Sequence, residues 1–249
     1  MSLKKVLYVS LAMILLIISV KTGQKLAFKK ISKEFDPEKM LRLEDSLKAI
    51  AARSPFVVSI LVDKNFAQSE LTGFVVDSTG YILTAAHGYF HENRPIMIYF
   101  QNGLALRARL AGEIQVEDVA LLSVDALLNF EVATFAKTEH LIEKRNQSLL
   151  DYEVSPEKHM VVMKCAGSER EKEVVRVLVG ILRKRELAGP DFEIEQRSGN
   201  YRGCSGAPAL NLKGEVVTMI QTNVGQSLFG PNADRLKIIS EILMARDSL

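Results

Sequence analysis

Residues 72–87 read TGFVVDSTGYILTAAH. Two short apolar runs, GFVV (73–76) and YILTAA (81–86), flank the turn-forming residues DSTG (77–80), and a histidine follows at once. Apolar, β-branched stretches of this length around an Asp-Ser-Thr-Gly segment predict a β-hairpin. The hairpin ends on His87, so a titratable imidazole lies where a buried strand gives out.

The same texture extends to both sides. FVVSILV (56–62), PIMIYF (95–100), LALRARLAG (104–112) and VALLSV (119–124) form one cluster of short runs, with QNG (101–103) as a further turn. HMVVMKCAG (159–167), VVRVLVGILRK (174–184), FEIEQ (192–196), PALNL (208–212) and EVVTMIQT (215–222) form a second, with NLKG (211–214) as its hairpin turn. Short strands at regular spacing indicate a sandwich or barrel. Residues 129–158 are polar and irregular, as in a connection between two domains. Before the strands, Asp36-Pro37-Glu38 has the form of a helix start, and Met40, Leu41, Leu43, Leu47, Ile50 and Ala51 make a helical stripe that Ser54-Pro55 closes. At the other end Asn232 is placed to cap a helix whose Leu236, Ile239 and Leu243 share a face.

The 249 residues are ample for a core, and their formal charge of +2 is too balanced for a nucleic-acid binder. The balance conceals an asymmetry. Residues 1–30 hold six lysines and no acid, which leaves 26 basic against 30 acidic residues, or −4, for the rest. Lys4 and Lys5 precede the uncharged run VLYVSLAMILLIISV (6–20), and Lys21 closes it. This pattern is that of a signal peptide or a signal anchor. Its fifteen residues are short for a span, yet no A-x-A-like cleavage site follows, which favours an uncleaved anchor. Lysines ahead of the run place the body outside the cytosol, in a periplasmic or extracellular space. Only Cys165 and Cys204 are present, so a four-thiolate zinc site is excluded. They could pair in an oxidising compartment, but nothing in the sequence brings them together.

Three segments carry chemistry: TAAH (84–87), DVALL (118–122) and GCSGAP (203–208). A serine hydroxyl is a poor nucleophile until a base takes its proton, and an imidazole does this near neutral pH. A carboxylate then holds the ring in the required tautomer, and backbone N–H groups receive the developing oxyanion. His87, Asp118 and Ser205 supply those groups in the chain order His, Asp, Ser. Gly203 and Ser205 would offer the N–H pair. Singly, each has a plain explanation: a structural histidine, a strand-edge acid, a Gly-Ser turn. Their joint occurrence across two β clusters favours the chemical reading. Asp125 is the alternative carboxylate, beyond the strand that should present the acid to His87.

The segments 72–87, DVALLSV (118–124) and GCSGAPALNLKGEVVTMI (203–220) resemble the trypsin-like (chymotrypsin-fold) serine peptidases, most closely the HtrA/DegP-type group. The resemblance implies an all-β fold of two perpendicular six-stranded β-barrels with the triad between them. On that frame the chain divides into a leader (1–30), a spacer helix (31–54), a first barrel (55–128), a connection (129–158), a second barrel (159–225) and a C-terminal helix (226–249). His87 becomes the general base, Asp118 its orienting partner, and Ser205 the nucleophile of a serine endopeptidase that acts through an acyl-enzyme. Gly203 and Ser205 become the oxyanion hole. Gly199 falls at the floor of the primary pocket, and Gln221, Thr222 and Asn223 along the strand that pairs with substrate. Gly199 is not acidic, so small or medium apolar residues before the scissile bond are expected rather than Lys or Arg.

The pattern departs from the family in two places. Cys204 stands where one branch has the activation aspartate, and Ala207 replaces a glycine. Only 24 residues follow Gly225, too few for a PDZ domain. The expected partner is a polypeptide, with membrane contact through the N-terminal segment and neither metal nor cofactor. An α/β-hydrolase fails because no histidine follows the serine, and Cys204 as nucleophile fails because Arg202, not glycine, stands two before it. His87 and His91 lack the H-E-x-x-H context of a zinc site. The remaining alternative is an inactive member that binds or scaffolds peptide by β-augmentation.

Overall fold

The computed structural model describes residues 37–64, 67–88, 90, 94–137, 160–166, 175–184, 191–196, 203–224 and 227–248. The leader, the Asp36 cap, most of the connection and Gly199 lie outside them. The chain forms two compact units, Met1–Arg42 and Leu43–Leu249. Of the first, the opening of helix α1 (Pro37–Ala52) is described, with Arg42 paired to Glu38 one turn back. In the second unit, Leu47 and Ala51 of the same helix are fully buried, and Ser54 Oγ caps the helix end by donating to Ile50 O at 2.8 Å. Among the described residues no helix is long and apolar enough to cross a membrane.

Strands β1 (Val57–Lys64), β2 (Ala67–Asp77), β3 (Tyr81–Thr84), β4 (Ile96–Tyr99), β5 (Ala105–Ile114) and β6 (Val119–Val124) close into a barrel in the order β1-β2-β3-β6-β5-β4. Alternation fills it. Val58, Ile60 and Val62 of β1 meet Ile82, Ile98, Ala120 and Leu122 in one core, as period-two side-chain placement requires. The predicted turns form as read. At the β2–β3 turn Asp77 Oδ1 accepts from Thr79 N, and Gly80 takes φ 103°, a value open to glycine.

The second sheet contains β7 (Met160–Ala166), β8 (Val175–Lys184), β9 (Phe192–Gln196), β10 (Pro208–Leu210), β11 (Val216–Met219), β12 (Thr222–Val224) and β13 (Ser227–Gly230), in the order β11-β10-β7-β8-β9-β13-β12. Among the described residues this sheet has seven strands in place of the expected six, the run 216–224 counting as two because it changes partner midway. Ile220 N donates to Ala207 O at 2.8 Å beside β10, whereas the next amide, Gln221 N, donates to Phe229 O at 2.9 Å on β13. The expected C-terminal helix over 226–249 is thus preceded by a strand, β13. Leu228 on β13 is fully buried and joins the sheet's core.

Helix α2 (Ala233–Asp247) begins as read, with Asn232 Oδ1 accepting from Arg235 N at 2.8 Å and with Leu236, Ile239 and Leu243 buried. It is clamped to the barrel at its far end. Asp247 accepts two bonds of 2.7 Å from Arg109 on β5 and one of 2.9 Å from Tyr81 on β3. The Arg109 guanidinium holds the Asp247 carboxyl below the usual carboxylate range. Gly112, at a bulge in β5, leaves room for Leu243; a Cβ there would lie 3.0 Å from its Cδ2.

Candidate active site

Two fully buried strand ends bring the acid and the imidazole together. Strand β3 ends at Thr84, and a single 3-10 turn, Ala86–Gly88, carries His87 to the surface. A second such turn, Gln115–Glu117, leads into β6, and Asp118 follows it with φ 49° and ψ 44°. Asparagine and aspartate tolerate this left-handed conformation better than other non-glycine residues. Asp118 Oδ1 accepts from the His87 backbone N–H, and Oδ2 pairs with His87 Nδ1, each at 2.8 Å. An ionised carboxylate only accepts, so the bonded Nδ1 carries the proton. The neutral ring then presents Nε2 as an acceptor. Asp125 lies beyond the end of β6 and is exposed; the carboxylate on His87 is that of Asp118.

Ser205 comes from the other sheet, in a turn held by the first barrel. Thr72 on β2 is fully buried, and it donates from its N–H to Ser205 O at 2.9 Å and from Oγ1 to Gly203 O at 2.6 Å. Gly203 and Gly206 take φ 81° and 82°. Gly206 has no space for a side chain, since a Cβ there would lie 2.0 Å from Thr72 O. These contacts consume the carbonyls of the turn. Among the described residues, the N–H groups of Gly203 and Ser205 have no acceptor.

His87, Asp118 and Ser205 line one cleft of about 280 Å³, together with Gln221, Thr222 and the apolar Ile220 and Leu228. The His87–Asp118 half of the expected array is hydrogen-bonded, whereas the His87 and Ser205 side chains face the cleft without a bond between them.

Of the residues expected to meet substrate, Thr222 is exposed at the start of β12, and Asn223 pairs with Leu228. The Gln221 N–H, on the run expected to pair with substrate, donates to Phe229 O. The Gln221 side chain instead reaches the first barrel, where Nε2 donates to Glu117 O and to Asp118 O. Cys204 and Cys165, whose pairing the sequence leaves open, form a disulfide with Cα atoms 4.7 Å apart. Both are buried, so the residue before Ser205 is tied covalently to β7. Neither this bond nor the grip of Thr72 had a local sequence signal, because each joins residues far apart in the chain.

A closed six-stranded barrel and a second sheet, meeting at a cleft with a carboxylate-bound imidazole on one side and a glycine-flanked serine on the other, define a chymotrypsin-like fold. The chain belongs to the trypsin-like peptidase family: the profile of the Trypsin-like peptidase domain matches residues 71–219, more than half of its length. Among solved structures, that of the serine endoprotease from Yersinia pestis is similar with a TM-score of 0.60 and 19% sequence identity. The likeness covers 79% of this chain and 66% of that one, and at such identity it concerns the fold. No curated protein matches the chain.

Proposed function

We propose that the protein is a serine endopeptidase in which His87, Asp118 and Ser205 act as the triad. The observation that carries this reading is the doubly hydrogen-bonded His87–Asp118 pair opening on the cleft that Ser205 lines. Nε2 takes the Ser205 hydroxyl proton as Oγ bonds to the scissile carbonyl carbon. The carbonyl oxygen becomes an oxyanion, and the unpaired N–H groups of Gly203 and Ser205 receive it. The imidazolium returns its proton to the leaving amine as the C–N bond breaks, and water, deprotonated by the same ring, then cleaves the acyl-enzyme.

The substrate is an extended polypeptide. Among the described residues strand β12 terminates its sheet, which supports β-augmentation along that edge beside the cleft. Ile220 and Leu228 line the cleft, and Asp118, already engaged by His87, is the one acid among the described residues that line it. That supports small or medium apolar residues before the scissile bond. The partner switch at Ile220 and Gln221 links β10 to β13 through one continuous run, which supports a second barrel. Residues 1–30 would tether or export the domain, and the buried Cys165–Cys204 disulfide fits an oxidising compartment outside the cytosol.

A fluorophosphonate probe tests the triad. Wild-type protein is expected to be labelled at Ser205, and Ser205→Ala and His87→Ala to lose both labelling and peptide cleavage while remaining folded. Folded wild-type protein that takes no label would support the peptide-binding alternative and remove the enzyme.

A further inference from the structure

Asp118 is the one non-glycine residue with positive φ among the described residues. A conformation of this kind persists only where surrounding contacts hold it. Its own barrel supplies part of them. The preceding turn, Gln115–Glu117, has no buried residue, and Asp118 is bonded within the barrel through its N–H to Gln115 O, its carbonyl to Ala86 N and its carboxylate to His87.

The remaining grip comes from the second sheet. Gln221 is 9% exposed, and its carboxamide donates to two successive carbonyls, Glu117 O and, at 3.2 Å, Asp118 O. A primary amide nitrogen has two N–H donors, which matches the two acceptors. The Glu117 side chain is in turn paired with Arg235 of α2. Gln221 also immediately precedes β12, the edge strand.

We infer that Gln221 is a positioning residue: its carboxamide pins the Asp118 turn to the second sheet and so sets how the Asp118 carboxylate meets His87. The kinetic consequence rests on the peptidase reading above, but the geometric one does not. The link also joins the strand that would receive peptide to the pair that would act on it.

Gln221→Met keeps the length of the side chain and removes both donors. It is expected to lower kcat/KM on a peptide substrate about tenfold, the loss falling in kcat rather than KM. In an Asp118→Asn background the same change should cost less than about twofold, because the group it acts through is already disabled. A merely structural role would give additive losses, and additivity overturns the inference. A second measurement needs no turnover. The low-field proton resonance of His87 Nδ1–H should shift or broaden in Gln221→Met, and an unchanged resonance overturns the inference. Should wild-type protein neither cleave peptide nor take the serine probe, the peptidase reading fails and the resonance alone decides the role of Gln221. Should Gln221→Met not fold, Gln221→Leu, also without donors and uncharged, carries the same expectations.

Discussion

Breaking the Cys165–Cys204 bond should cost both stability and the order of the Ser205 turn. The cross-link joins residues 39 apart. Closing a loop of that length removes unfolded-state entropy worth roughly 4 kcal/mol in the chain-entropy treatment. With a urea m-value of roughly 2 kcal/mol/M, the unfolding midpoint would fall by about 2 M. Reduction tests this better than replacement by alanine, because the two thiols still fill the space the sulfurs occupied. Both cysteines are buried, so the bond is best reduced in denaturant and the protein refolded with reductant present. The chain has no Trp, so unfolding is followed by far-UV circular dichroism. The local consequence is read separately, as the rate at which a fluorophosphonate labels Ser205. Cys204 is the residue before Ser205, and without its tether the Gly203–Ser205 turn is left to hydrogen bonds alone, from Thr72 on one side and from Ala207 N to Cys204 O and Gly206 N to Ile220 O on the other. Labelling should slow well beyond the loss explained by unfolded protein. An unchanged midpoint would refute the stability estimate, and unchanged labelling of the reduced, folded protein would refute the role of the bond in ordering the turn.

Gly206→Ala should destabilise the protein by roughly 2–4 kcal/mol, because φ is 82° and the new methyl would meet backbone Thr72 O; thermal unfolding measures this, and a change under about 0.5 kcal/mol would contradict it. Lys164 is buried with Nζ bonded to Ser54 O at 3.0 Å and Gln101 Oε1 at 2.7 Å, and burial lowers its pKa to about 8. Between pH 8 and the ordinary lysine value of 10.5 the unfolded chain binds more protons than the folded one, so stability should rise with pH across that window. Below it both states are protonated and the full cost of the buried charge is carried. Urea midpoints at pH 7.5 and 9.5 should diverge in wild-type protein and less so in Lys164→Met; equal pH dependence in the two would remove the assignment.

Local chemistry made the turns and helix ends legible in the sequence. Asn211 is one case: its Oδ1 accepts from Lys213 N and Glu215 N, and Gly214 at φ 79° completes the hairpin. The Asn232 cap is another. Strand ends were less legible. β2 starts at Ala67, six residues before the apolar run at 73–76, because Gln68, Ser69 and Glu70 pair with β1 through backbone groups that hydrophobicity does not record. The β12–β13 hairpin was hidden by its length, since strands of three and four residues leave little periodicity to read. At the site, residue types and order sufficed to nominate His87, Asp118 and Ser205. The supports of those residues did not follow. Thr72 reaches Gly203 across 131 residues of chain, and Gln221 reaches Glu117 across 104, each through a side chain whose type is commonplace.

Those long-range bonds carry the physical burden of the fold. His87 and Asp118 belong to the first barrel and Ser205 to the second sheet, so any slip between the two bodies changes the distance on which the proposed proton transfer depends. The contacts that oppose a slip are polar and directional. Thr72 holds two carbonyls of the serine turn, Gln221 holds two carbonyls of the Asp118 turn, and Lys164 reaches from β7 to Ser54 O and Gln101 on the barrel side. Apolar packing would hold the bodies together without fixing their register, because it is non-directional. Hydrogen bonds specify geometry at modest net stability, which is what a seam carrying chemistry requires. The same choice explains a lysine buried, among the described residues, without a carboxylate: its cost in stability is accepted where its donors fix one orientation. Strand β7 concentrates the arrangement, since Lys164 and Cys165 are adjacent and point to opposite faces, one toward the barrel and the other to the residue before Ser205. A displacement of β7 would therefore reach the first barrel and the serine turn together.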